Sequence, residues 1–157
     1  HITWVVIIVC MFLGANSGST SGGFKSIRSV MVIKIIKNEF RQMLHPNAIV
    51  PLKLNSINVP MQKRVTLLAF LASYMLILAI SIFLMSLAGV ESVDCVSISF
   101  SALGNVGPAF GSYIGPNDSW AILPDSCKWI SSILMLIGRL EIFSVLIIFT
   151  PAYWREN

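Results

Sequence analysis

Few residues in this chain could carry chemistry, and they gather in three places. The first is the irregular stretch Ser99–Gly111, which holds three glycines, a proline and an asparagine. It lies between two long apolar segments, which places it at membrane depth. Irregular backbone is tolerated there only where it is buried in protein or lines a water-filled cavity. Its best physical use is to point carbonyl oxygens at a desolvated cation. Gly104, Asn105, Val106 and Gly107 are the candidate filter residues, and Gly107 can supply the unusual backbone angles such a filter needs. The alternative is a plain Gly/Pro turn between two helices. One asymmetric loop cannot surround an ion, so four such loops are required.

The second place is Arg139, set among the apolar residues of Met135–Phe143. An intramembrane arginine costs at least about 2.5–3.5 kcal/mol on insertion scales and is a functional candidate by default. Glu141 is two positions away, on a different helix face, and makes a poor intrahelical partner. A purely structural arginine is the other reading. The third place is Gly14-Ala-Asn-Ser-Gly-Ser-Thr-Ser-Gly-Gly23, with four glycines and four hydroxyl residues. Each glycine costs about 1 kcal/mol in a helix interior, so a straight helix is not sustained here. Either it is a polar loop leaving the membrane, or it breaks a transmembrane helix beside a cavity. In the second case its carbonyls and hydroxyls could hold Arg139. A cation fixed near a cation pathway raises the barrier to transport, so the pair would form a gate.

The elements that must position these residues follow from hydropathy. The chain has 157 residues, 55% hydrophobic and 11% charged, with a mean hydropathy of +0.80. A soluble domain carries roughly 25% charged residues. An all-α integral membrane protein with about three passages is expected. Ile2–Leu13 is a half-length apolar run, and Phe24–Gln42 resumes helical character with basic residues, as in a broken transmembrane helix. Pro46 and Pro51 end that helix, with His45 as a loop or capping residue. Lys53–Pro60 is a short hairpin or an extended link. Val65–Val90 is the clearest spanning helix. Ser92–Leu103 is too short to span, has Ser92 and Asp94 suited to a helix N-terminus, and reads as a pore helix. The loop Gly104–Gly111 follows, then a polar acidic stretch to Asp125. Lys128–Thr150 is the last spanning helix, closed by the interfacial anchor Tyr153, Trp154 and Arg155. Three units result: a broken helix over 1–43, a link over 44–64, and a helix, pore loop and helix repeat over 65–157. With no initiator Met, the chain reads as part of a longer polypeptide.

Charge sets the orientation. Residues 24–64 hold eight of the eleven Lys/Arg and a single acid, Glu39, whereas 91–127 hold four acids and no Lys/Arg. The positive-inside rule puts the first stretch in the cytoplasm and the second outside. The loop therefore enters from outside and the C-terminus is cytoplasmic. Other classes fare badly. Cys10, Cys95 and Cys127 form no metal spacing and read as inert thiols. Ser17 and Ser21 lack a Gly-x-Ser-x-Gly elbow, and no Gly-Lys-Ser/Thr marks a phosphate loop. No enzyme, cofactor or nucleic-acid partner is expected.

The unit from Val65 to Thr150 resembles the protomer plan of potassium channels, although Thr-Val-Gly-Tyr-Gly is absent. The ordered set Gly14–Lys25, His45-Pro46, Leu103–Pro108, Gly138-Arg-Leu-Glu-Ile-Phe143 and Pro151–Arg155 closely resembles Trk/Ktr-type potassium transporters, the TrkH family of membrane subunits. The resemblance spans the chain and implies the C-terminal third of such a subunit, with the rest of a four-repeat pore supplied by the remaining repeats. It implies potassium as the transported ion, bound at backbone carbonyls of Gly104, Asn105, Val106 and Gly107. It implies a gating loop containing Gly14, Ser17, Gly18, Ser19, Thr20, Gly22 and Gly23, with Arg139 beside it. A bacterial inner-membrane location among lipid, a homodimer, and a cytoplasmic nucleotide-binding subunit of TrkA/KtrA type are further implications. The family's fourth filter commonly runs Gly-Pro-Gly, and here Ala109 follows Pro108, which bears on the loop's exit geometry. A non-transporting structural or regulatory membrane subunit is the alternative function.

Overall fold

The computed structural model describes residues 2–14, 24–45, 52–54, 57–111, 114–140 and 142. The fold is helical apart from one short ladder and one 3-10 turn among the described residues. Helix α1, Ile2–Leu13, fills the first apolar run and stops where Gly14 takes φ +60°, a left-handed residue of the kind that closes helices. Helix α2 is Ser26–Leu44. The rings of Phe12 and Phe24 stack with centroids 5.4 Å apart, and Tyr74 meets Phe12 edge-on at 5.8 Å. In one unbroken helix these two positions would be about 18 Å apart along the axis. Thus α1 and α2 are separate helices that meet at this stack.

His45 donates its amide to Arg41 O at 2.9 Å and flanks the end of α2. β1 (Lys53–Leu54) pairs antiparallel with β2 (Ile57–Asn58), with Lys53 opposite Asn58. These two pairs fall in the stretch expected as a short hairpin or link, within an otherwise helical fold. Leu52 beside β1 packs with Ile35 and Leu67 in a small second core.

Helix α3 is Met61–Leu87. It starts four residues before the expected Val65, because Pro60 with φ −64° is already shaped to lead a helix. It ends before the expected Val90, because Gly89 turns to φ +85° and Val90 N reaches back to Met85 O at 3.4 Å. Among the described residues α3 is the one helix long and apolar enough to cross a membrane, with a mean hydropathy of 2.6 over its best window.

Helix α4, Ser92–Gly104, is short and almost wholly buried. Helix α5 is Asp125–Arg139, led by Pro124 and closed in its first turn by the Asp125–Lys128 ion pair at 3.0 Å. α5 begins three residues before the expected Lys128, at Asp125. The far end of the expected helix Lys128–Thr150 lies outside the described residues. The expected anchor Tyr153, Trp154 and Arg155 lies outside the described residues. α4 packs most extensively on α5 and next on α3. Tyr74, Met85, Ile98, Leu103, Cys127 and Leu134 fill the core between them.

Candidate functional site

The site starts where α4 ends. Asn105 sits in the left-handed region at φ 51°, which asparagine tolerates better than most residues. Its amide bonds to Ala102 O at 3.2 Å, and Val106 N bonds to Ser101 O at 3.0 Å. This is a Schellman cap, and it turns the chain sharply out of the helix. Gly107 then takes φ +107°. A Cβ there would meet nothing within 4 Å, so backbone angle and not space reserves the position for glycine. Strained backbone of this kind in a residue with a side chain costs roughly 1–3 kcal/mol.

Among the described residues the carbonyls of Asn105, Val106 and Gly107 accept no hydrogen bond from the protein. Val106 and Gly107 are exposed. They follow directly on the C-terminus of α4, which carries the negative end of the helix dipole and favours a nearby cation. Among the described residues no group of three or more His, Cys, Asp or Glu could hold a metal ion. A cation at this loop would be held by backbone oxygens. A cavity of about 480 Å³ lies in front, lined by Ile7, Cys10, Met11 and Gly14 of the α1 end and by Asn105, Val106, Pro108 and Phe110.

Behind the loop stands α5. Asn105 Nδ2 donates to Met135 O at 3.1 Å. Gly138 lies so close to α4 that a Cβ there would be 2.1 Å from Leu103 O and 2.7 Å from Asn105 Nδ2. Beyond Gly107 the chain is braced differently. Phe110 N donates to Ser97 Oγ, Gly111 N to Ile114 O at 2.9 Å, and Ile114 N to Asp94 Oδ1 at 3.3 Å. A Cβ on Gly111 would fall 1.3 Å from Asp94 Oδ1. Asp94, expected as a charged marker near the helix N-terminus, is fully buried and holds the loop's exit. Ala109 is buried and keeps negative φ, since Asn105 is the one described non-glycine residue with positive φ. The exit therefore does not require glycine at 109.

The structure brings Asn105, Val106 and Gly14 together around the cavity, with Gly107 next in the same loop. Gly104 belongs by contact, its notional Cβ lying 3.2 Å from Val106 Cγ2 and 3.6 Å from Met11 O. Arg139 is exposed at the end of α5, immediately after Gly138. Ser17, Gly18, Ser19, Thr20, Gly22 and Gly23 lie outside the described residues. Sequence reasoning missed the Asn105 amide, Gly138, Ser97 and the Asp94–Gly111 contact. A glycine beside an arginine in an otherwise apolar helix was the available signal for Gly138. The Asp94–Gly111 contact had none, because the pairing is tertiary.

Comparison with known proteins places this geometry. Residues 1–156 match the family model TrkH, described as a cation transport protein. The Trk system potassium uptake protein TrkH of Halomonas elongata is 35% identical over 151 residues, covering 96% of this chain and 31% of that protein. TrkH of Escherichia coli K12 is 32% identical over 152 residues, with 97% and 31% coverage. The crystal structure of the potassium transporter TrkH from Vibrio parahaemolyticus superposes with a TM-score of 0.89 at 28% identity, over 98% of this chain and 32% of that one. The chain thus spans about a third of its relatives' length, and over that span it belongs to the TrkH family of cation transport proteins.

Proposed function

We propose that this chain supplies one quarter of a potassium filter, together with part of the gate beneath it. The observation that carries the reading is the run Asn105–Gly107. Its three successive carbonyls have no hydrogen-bond partner among the described residues, and it stands at the C-terminus of a short buried helix with Gly107 at φ +107°. Carbonyl rings of this kind replace the hydration shell of potassium. Relatives named as potassium uptake proteins support the choice of ion. The other three filter loops belong to repeats outside this chain.

In this reading the repeat is helix α3, pore helix α4, filter loop and the helix begun by α5. It sits in the bacterial inner membrane, with α4 entering from the outer side and the basic stretch 24–64 in the cytoplasm. The Phe12–Phe24 stack supports a helix broken at Gly14, with the Gly14–Gly23 stretch and Arg139 as the gate. A cytoplasmic nucleotide-binding subunit would act on that gate, and two such pores would pair as a homodimer.

The test is Gly107→Ser in the full-length parent protein. Any side chain at φ +107° moves the adjacent carbonyls. The expected result is a clear fall in K⁺ over Na⁺ discrimination in flux assays at unchanged expression. Unchanged discrimination at normal yield would remove Gly107 from the filter and favour a non-transporting structural role.

A further inference from the structure

Asn105 does two separate things. Its backbone is the first residue after α4. Its side chain leaves the loop and donates from Nδ2 to Met135 O, 3.1 Å away on α5. Met135 O is already the regular acceptor for the amide four residues on, at Arg139, in a helix that runs to Arg139. A carbonyl oxygen has two lone pairs, so it can accept from both. The amide arrives here only because α5 comes unusually near. Gly138 has no side chain, and its missing Cβ would overlap Leu103 O and Asn105 Nδ2. Leu103 and Met135 sit in the core at this seam, Leu103 fully buried. Without Gly138 the helices could not close enough for the amide to reach.

We propose that the Asn105 amide and Gly138 form a positioning seam that determines ion discrimination by fixing the inner end of the filter from behind. The inference rests on the filter reading above. Filter carbonyls discriminate by where they are held. Asn105–Gly107 receive little support from their own hydrogen bonds, since their carbonyls accept none among the described residues. The one side-chain bond that reaches this run from another element is the one to Met135 among the bonds described. Asn105 and Gly138 act through carbonyl position and do not themselves meet the ion by their side chains.

The left-handed backbone at Asn105 allows a clean test. Asn105→Gly keeps φ 51° without steric penalty and removes the amide. Asn105→Asp keeps the shape and offers a carboxylate oxygen to Met135 O, where a donor is needed. Both are made in the full-length transporter, beside Gly107→Ser, Gly138→Ala and the double variant Asn105→Gly/Gly138→Ala. The readouts are folded yield and the ratio of K⁺ to Na⁺ uptake per folded molecule. Asn105→Gly is expected to lower that ratio about fivefold, the size of one neutral hydrogen bond, at near-normal yield, and Asn105→Asp at least as much. The double variant is expected to be no worse than its worse single member, because both changes open one seam. A multiplicative double variant, or an unchanged ratio in Asn105→Gly while Gly107→Ser lowers it, overturns the seam and leaves the filter standing. An unchanged ratio in Gly107→Ser as well removes the filter reading and the seam with it. If Gly138→Ala fails to fold, the two Asn105 variants decide the matter.

Discussion

At Gly111 a single hydrogen atom separates a formed loop exit from an impossible one. The missing Cβ would lie 1.3 Å from Asp94 Oδ1, and Asp94 is fully buried, so its carboxylate has no room to retreat. Gly115 offers an internal comparison. Its notional Cβ would meet Asp118 Oδ2 at 2.9 Å, but Asp118 is exposed and can swing away. Gly111→Ala is expected to destabilise the full-length protein by about 1–3 kcal/mol, as overpacking does, and Gly115→Ala by much less. Thermal midpoints of the two purified variants check this. Equal midpoints would mean that Asp94 yields as easily as Asp118.

Helix α5 presents two different neighbours in succession at Gly138 and Arg139. Gly138 is buried against α4, while Arg139 is exposed one residue later. If Arg139 bars the cation path, Arg139→Ala in the full-length protein raises basal potassium uptake per folded molecule and weakens dependence on the cytoplasmic subunit. Unchanged uptake with a large loss of yield would leave Arg139 as a structural residue. Much of this architecture was legible beforehand. α1 coincides with the apolar run Ile2–Leu13, α4 with the segment too short to span, and the loop with Gly104–Gly111. Local signals sufficed there: hydropathy, length and glycine. The buried Asp94 and the Asn105–Met135 bond were not legible. Each depends on which distant element lies opposite, and spacing along the chain does not record that. Gly107 was expected to supply an unusual backbone angle and does so, whereas Gly89 lay inside the expected helix Val65–Val90 and its turn was not marked.

Taken together, the helices form one wedge of a larger object. Val65, Leu76, Ile80, Phe83 and Leu87 of α3 remain exposed, as expected of a surface that meets lipid or the neighbouring repeats. The asymmetry between the basic stretch 24–64 and the acidic stretch 91–127 is the basis of the proposed orientation. In a cysteine-substituted full-length protein, an impermeant reagent should reach position 118 from outside and position 53 only after permeabilisation. Labelling of both from one side would contradict the proposed orientation. The cavity before the filter loop adds a chemical handle to this geometry. Cys10 is free and exposed on that cavity, opposite Asn105 and Val106, whereas Cys95 and Cys127 are buried. If the cavity is the pore's interior, as proposed, Cys10 is a built-in reporter of it, and a small thiol-directed reagent attached there would stand in the path of the ion. Uptake by the full-length transporter should fall several-fold on treatment, and Cys10→Ser should remove that sensitivity. If the serine variant is blocked equally, this cavity does not face the conduction path.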